Sequence, residues 1–168
     1  MRAASLRARC ERRVDELLAG TGVPRPWNID AFLDRVEHHR GRGIDLCAVS
    51  WTPGDSTGAW QRCADHDVLA YPENTSGPHQ DHVILHELGH VISQHRGRCV
   101  LSVEQAQRIA PDLGARAFAH LLHRASDPAE ESEAELIAVL LSRRVRESPQ
   151  VAPEADPRIT RIADVFGG

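Results

Sequence analysis

With 168 residues, 41% of them hydrophobic and 26% charged, and a net charge of -4, the chain suits one globular domain and has no electrostatic reason to bind nucleic acid directly. Its four cysteines, Cys10, Cys47, Cys63 and Cys99, are scattered without a Cys-x-x-Cys pair, which argues against a small secreted disulfide framework. No apolar leader core follows Arg2 and Arg7 and no run is long enough to span a membrane, so a cytoplasmic protein with reduced thiols and no membrane partner is expected.

Residues 2–19 read as a helix, with Leu6, Cys10, Val14, Leu17 and Leu18 as its apolar stripe. Arg2, Arg7, Arg9, Arg12 and Arg13 fall on the other side, a solvated face partly paired with Glu11, Asp15 and Glu16. Gly20-Thr21-Gly22 ends this helix, and Asn28 caps a second one that runs to about Arg40. Ile44 to Trp51 reads as a buried strand, closed by the turn Thr52-Pro53-Gly54-Asp55. Two short strands follow, about Gly58 to Cys63 and Asp67 to Tyr71, joined by a hairpin loop. Pro72 cannot donate to a ladder, so it ends the second of these or sits at an edge.

The next helix is expected from Ser76, with Pro78 in its first turn, to about Arg96, where Gly97 stops it. It carries His86-Glu87-Leu88-Gly89-His90, the His-Glu-x-x-His pattern of zinc metallopeptidases. Residues four apart share a helix face, so His86 and His90 can grip one metal ion, with Glu87 beside them as general base. Apart from Glu87, no charged residue interrupts Val83 to Ile92, as a packed metal-holding helix requires. Beyond it a helix pair is expected over about 103–124, opened by the capping box Ser102 and Gln105. Asp127-Pro128-Ala129-Glu130 then starts a helix reaching about Arg146. The tail 148–168 is rich in Pro and Ala, with one weak turn over about 157–165. The chain therefore reads as a single domain, 1–168, with its core at about 28–147.

A catalytic zinc site takes three protein ligands and leaves one position open. Ser93 and Arg96 stand where the metzincin pattern needs Gly and His, which removes that class. His95 lies five residues past His90, off the metal face, and is expected at the surface. On the acidic helix, Glu131 extends the inward stripe of Ala134, Ile137, Ala138, Leu141 and Val145 by one turn and is the favoured third ligand. Glu135, one turn further on the same flank, is suited to orient a metal-binding histidine from behind. Glu130 fits the capping box, and Glu133 is expected to point away into solvent. Ala134 and Ala138 are small enough to let this helix approach another closely.

The order of these segments resembles the ImmA/IrrE family of metallopeptidases. The matching stretches are Val68-Leu69-Ala70-Tyr71, Asn74, His86 to His90, and Glu131-Ser132-Glu133-Ala134-Glu135-Leu136-Ile137-Ala138. The likeness covers roughly residues 28–145. It departs at Glu135 and Ile137, where the family often has Asn and Phe, and in the long segment between the motifs. The resemblance implies a minimal zincin-like α+β fold, a small three-stranded sheet beside the metal helix with additional helices. It also implies Zn2+ held by His86, His90 and Glu131, with Glu87 as catalytic base.

The expected function is a zinc-dependent endopeptidase cleaving a regulatory protein, by family analogy a helix-turn-helix transcriptional repressor. The alternative is a regulatory or toxin–antitoxin partner module that keeps a zinc site with little turnover. Tyr71, His120 and His123 are candidates to stabilise the transition state, and the strand near Asp67 to Tyr71 is expected to be an edge that a substrate peptide extends. All twenty basic residues are arginine, a composition associated with GC-rich bacterial genomes.

Overall fold

A computed structural model of the chain describes residues 2–50, 58–95 and 127–148. The expected turn at Thr52–Asp55, the helix pair near 103–124 with His120 and His123, Cys99 and the tail from 149 all lie outside them. The described residues form four helices and one small sheet, an α+β arrangement: α1 (Arg2–Thr21), α2 (Ile29–Arg40), β1 (Gly43–Val49), β2 (Ala59–Arg62), β3 (His66–Pro72), α3 (Gly77–Ile92) and α4 (Pro128–Glu147). None of these helices is long and apolar enough to cross a membrane.

The helix starts follow from local chemistry. Asn28 accepts a hydrogen bond from the Ala31 amide, and Asp127 accepts one from Ala129, each satisfying a donor that the first helical turn leaves open. Ser76 occupies the N-cap of α3 without a side-chain cap bond, and proline in the first turn needs no such partner for its own nitrogen. Gly41, at φ 64°, ends α2.

The sheet order is β1-β3-β2, with β1 parallel and β2 antiparallel to β3. Cys63 N–H donates to the His66 carbonyl and closes the β2–β3 hairpin. Pro72 is the last residue of β3, opposite Val49. The strand near Asp67 to Tyr71 is therefore the centre of the sheet and not an edge. Its hairpin partner takes one side, and β1 returns in parallel on the other. A buried carboxylate ties this sheet to α2: Asp67 accepts from Arg40, Arg42 and the Trp60 indole.

α3 runs across β3 and β2 and packs against α4, while α1 packs against α4 and α2. Leu88, Ile137 and Leu141 are fully buried between these layers, each contributing about 1.5–3 kcal/mol of burial. The closest approach is at Gly89. A Cβ there would lie 2.9 Å from the Ala134 carbonyl oxygen and 3.0 Å from its Cα, backbone atoms that cannot swing aside. Glycine inside a helix costs about 1 kcal/mol relative to alanine. Here it permits two helices to touch backbone to backbone.

α3 stops at Ile92, four residues short of the expected Arg96. Gln94 N–H bonds the Val91 carbonyl and His95 N–H the His90 carbonyl, the paired pattern of a Schellman cap. Gln94 holds the left-handed position at φ 54°, normally a glycine's place. Arg13 of α1 donates to the freed Ile92 carbonyl at 3.2 Å.

Two stability changes are expected in urea titrations. Gly89→Ala forces α3 and α4 apart and is expected to destabilise the fold by about 1–3 kcal/mol. Gln94→Gly relieves the left-handed strain and is expected to stabilise it by about 0.5–1 kcal/mol.

Candidate metal centre

The approach at Gly89 brings Glu131 of α4 over the histidine face of α3. His86 Nε2 and His90 Nε2 are 3.2 Å apart. Glu131 spans both, with Oε2 3.2 Å from His86 Nε2 and Oε1 3.4 Å from His90 Nε2. Donors about 2.0–2.1 Å from a tetrahedral ion must stand about 3.3–3.4 Å apart. The two imidazole nitrogens stand at about that spacing, each with a different Glu131 oxygen at a similar distance. One donor atom from each of His86, His90 and Glu131 lies within 4.8 Å of the others, so the three together could hold a metal ion.

Each histidine also has a partner behind it. His86 Nδ1 lies 3.2 Å from Glu135 Oε2, which is 3.3 Å from His82 Nε2 as well. His90 Nδ1 lies 2.9 Å from His95 Nδ1, and the Trp60 ring stacks on the His90 imidazole with centroids 6.5 Å apart. A metal bound at Nε2 leaves Nδ1 to carry the proton, which the Glu135 carboxylate can accept from His86 as a hydrogen bond.

Two expectations fail here. His95 is buried, its side chain 7% exposed, because the Schellman cap turns the chain back over His90. Glu133 does not point into solvent. It faces α1, accepts two hydrogen bonds from Arg9 at 3.1 and 2.7 Å, and has Arg13 at 3.5 Å. Of the arginine face of α1, Arg7 pairs with Glu11 as expected, whereas Asp15 pairs with Arg144 of α4. Tyr71 lies partly buried against the core, and among the described residues no hydrogen bond joins it to the triad. His95, Glu133 and Trp60 are the neighbours that sequence reasoning missed. Only the i+5 spacing of His95 offered a signal, and it was read on an uninterrupted helix.

Glu87 is buried beside the triad. A Cβ on Gly58, just before β2, would fall 2.5 Å from Glu87 Oε1, so the carboxylate rests against strand backbone. Burial pushes the Glu87 carboxyl up to about 8; Glu131 adds to the rise and His86 opposes it. Burial disfavours charging His86, yet its hydrogen bond to Glu131 and the carboxylates of Glu87, Glu131 and Glu135 outweigh this and raise its pKa. Against the models of known families and against curated proteins, the chain finds no match.

The raised pKa values fix the sign of a pH effect in the metal-free protein. An acid with its folded pKa above its unfolded one contributes stability that is complete below about 4.5 and lost as pH rises through about 8. Urea melts of the metal-free protein are expected to weaken over that window by on the order of a few kcal/mol. Glu87→Gln is expected to flatten most of the decline. An equal slope in both proteins would show that Glu87 is not held protonated.

Proposed function

We propose that the protein is a zinc-dependent endopeptidase with a minimal zincin-like domain, acting on a regulatory protein. The ImmA/IrrE resemblance implies a helix-turn-helix repressor as the substrate and the cytoplasm as the place of action. The observation that carries this reading is the set of two imidazoles and one carboxylate whose donor atoms lie within 4.8 Å of one another, with a buried acid beside them. Two nitrogens and one oxygen suit zinc, and three protein ligands are what catalytic zinc sites use.

Bound zinc supplies Lewis acidity, polarising the scissile carbonyl and making water a better nucleophile. Glu87 accepts the proton of the attacking water and returns it to the leaving amine. Burial favours the protonated form of Glu87 and a bound cation opposes it, so the base role belongs to the metal-loaded protein, where the carboxylate can accept a proton. Glu135 stands where it can accept from His86 Nδ1–H and hold that imidazole in the ligating tautomer, which limits reorganisation during the reaction.

An extended substrate needs a free sheet edge. β3 is enclosed, whereas β1 and β2 each have an outer side that no strand covers among the described residues; β2 is the one that starts beside the buried acid. It begins beside Gly58, against Glu87, so a peptide added to this edge would bring its carbonyls toward the base.

Metal analysis of the purified protein is expected to find about one zinc per chain, in the manner of other three-ligand sites, and little in Glu131→Ala. Glu87→Gln is expected to keep the zinc and reduce cleavage at least about 100-fold, tested on the helix-turn-helix regulator encoded nearest the gene. Full zinc retention in Glu131→Ala would remove the third ligand. Stable capture of the regulator by wild type without cleavage would instead favour a partner module.

A further inference from the structure

The described residues contain a second polar chain that the reaction itself does not use. It begins at His90 and ends on the first helix. His90 Nδ1 meets His95 Nδ1 at 2.9 Å, and His95 Nε2 faces Glu133 Oε2 at 3.7 Å. Glu133 is gripped by Arg9 and approached by Arg13. His95 Nε2 is buried and lacks a hydrogen-bond partner; Glu133 is its ion-pair neighbour, with the charges of Glu130 and Arg13 also acting on the ring. Both intermediate side chains are nearly enclosed, His95 at 7% and Glu133 at 10% exposure.

We propose that His95 is a positioning residue for the metal ligand His90, oriented in turn by Glu133 and its α1 arginines. This rests on the zinc reading above. The proton positions allow one consistent arrangement. With Nε2 of His90 toward the metal, its Nδ1–H donates to His95 Nδ1. His95 must then be neutral, with its hydrogen on Nε2 directed at the Glu133 carboxylate. The reverse tautomer of His95 would set two N–H groups against each other at 2.9 Å and leave a lone pair facing an anion. Glu133 thus selects the His95 tautomer, and His95 selects that of His90.

The Schellman cap at the end of α3 makes this possible. It returns the residue after the left-handed position over the residue five before it, a place where an apolar contact is usual. Here that contact is between two imidazoles, with rings 5.0 Å apart and steeply inclined. On the other histidine, Glu135 is a carboxylate partner more than half exposed. The two ligands are therefore supported differently, His86 by a solvated anion and His90 by a buried neutral ring backed by an ion pair.

The test is zinc affinity by chelator competition, at a temperature where circular dichroism shows every metal-free variant folded. Three proteins are compared: wild type, His95→Phe, which fills the space without an acceptor, and His95→Gln, whose amide oxygen can accept from His90. The expected order is wild type, then Gln within a few-fold, then Phe about 10–100-fold weaker. The cobalt-substituted Phe variant is expected to show shifted visible bands. Glu133→Gln gives a second measurement should Phe not fold: a loss of about 3-fold is expected in wild type, and none once His95 is Gln or Phe. A packing role alone predicts the opposite order, Phe tighter than Gln, and that order overturns the proposal. So does an additive Glu133→Gln effect. Absence of zinc binding by wild type would overturn the metal reading itself and is read separately.

Discussion

The contact between Gly89 and the Ala134 backbone sets the reach of Glu131 to the two histidines. α3 carries two donors and the base, and α4 carries the third donor. Neither helix can complete a metal site alone. Because no side chain intervenes, Glu131 reaches both histidines with a short side chain and spans them with two oxygens. An added methyl would act on this geometry through backbone, which has no rotamer to change. The fully buried Ala134, Ile137, Ala138 and Leu141 continue the interface and hold the register on which Glu131 depends.

Around that contact the charges are graded. Glu131 faces the open side, Glu87 is buried against Gly58, Glu135 stands half in solvent, and Glu133 is neutralised by arginines. Four carboxylates near one another would repel if they shared one environment. Separate surroundings let one bridge histidines, one bind a proton more readily than a free carboxylate and one remain a paired anion. Burial and charge thus assign different chemistry to identical side chains.

Much of this was legible from residue order. Helical periodicity with the caps Asn28 and Asp127 located α2 and α4, and the inward stripe singled out Glu131. Small residues at 134 and 138 foretold a close approach. Two errors share a cause, that the surroundings of a helix are not written in its own sequence. Glu133 looked solvated because the stripe was drawn for one neighbour, whereas α4 has α1 on its other flank. His95 looked exposed because Gly97 seemed the natural stop, and a left-handed Gln94 has no compositional mark. The strand order was hidden for a related reason. A hairpin is a local signal, but the parallel return of β1 beside β3 depends on long-range packing.

The contact between Arg9 and Glu133 joins residues 124 apart in the chain, and His86 meets Glu131 across 45. Synthesis runs from the first of these to the last, at about 5–20 residues per second. While the ribosome is still making the stretch before α4, the histidine pair exists without its carboxylate, and the arginines of α1 have nothing to hold. The site is therefore closed by one of the later segments to emerge. At that rate the roughly 45 residues between His86 and Glu131 take on the order of 2–9 seconds, during which a growing chain has neither a complete ligand set nor an oriented His90, so the centre's chemistry is withheld from the nascent chain that carries it.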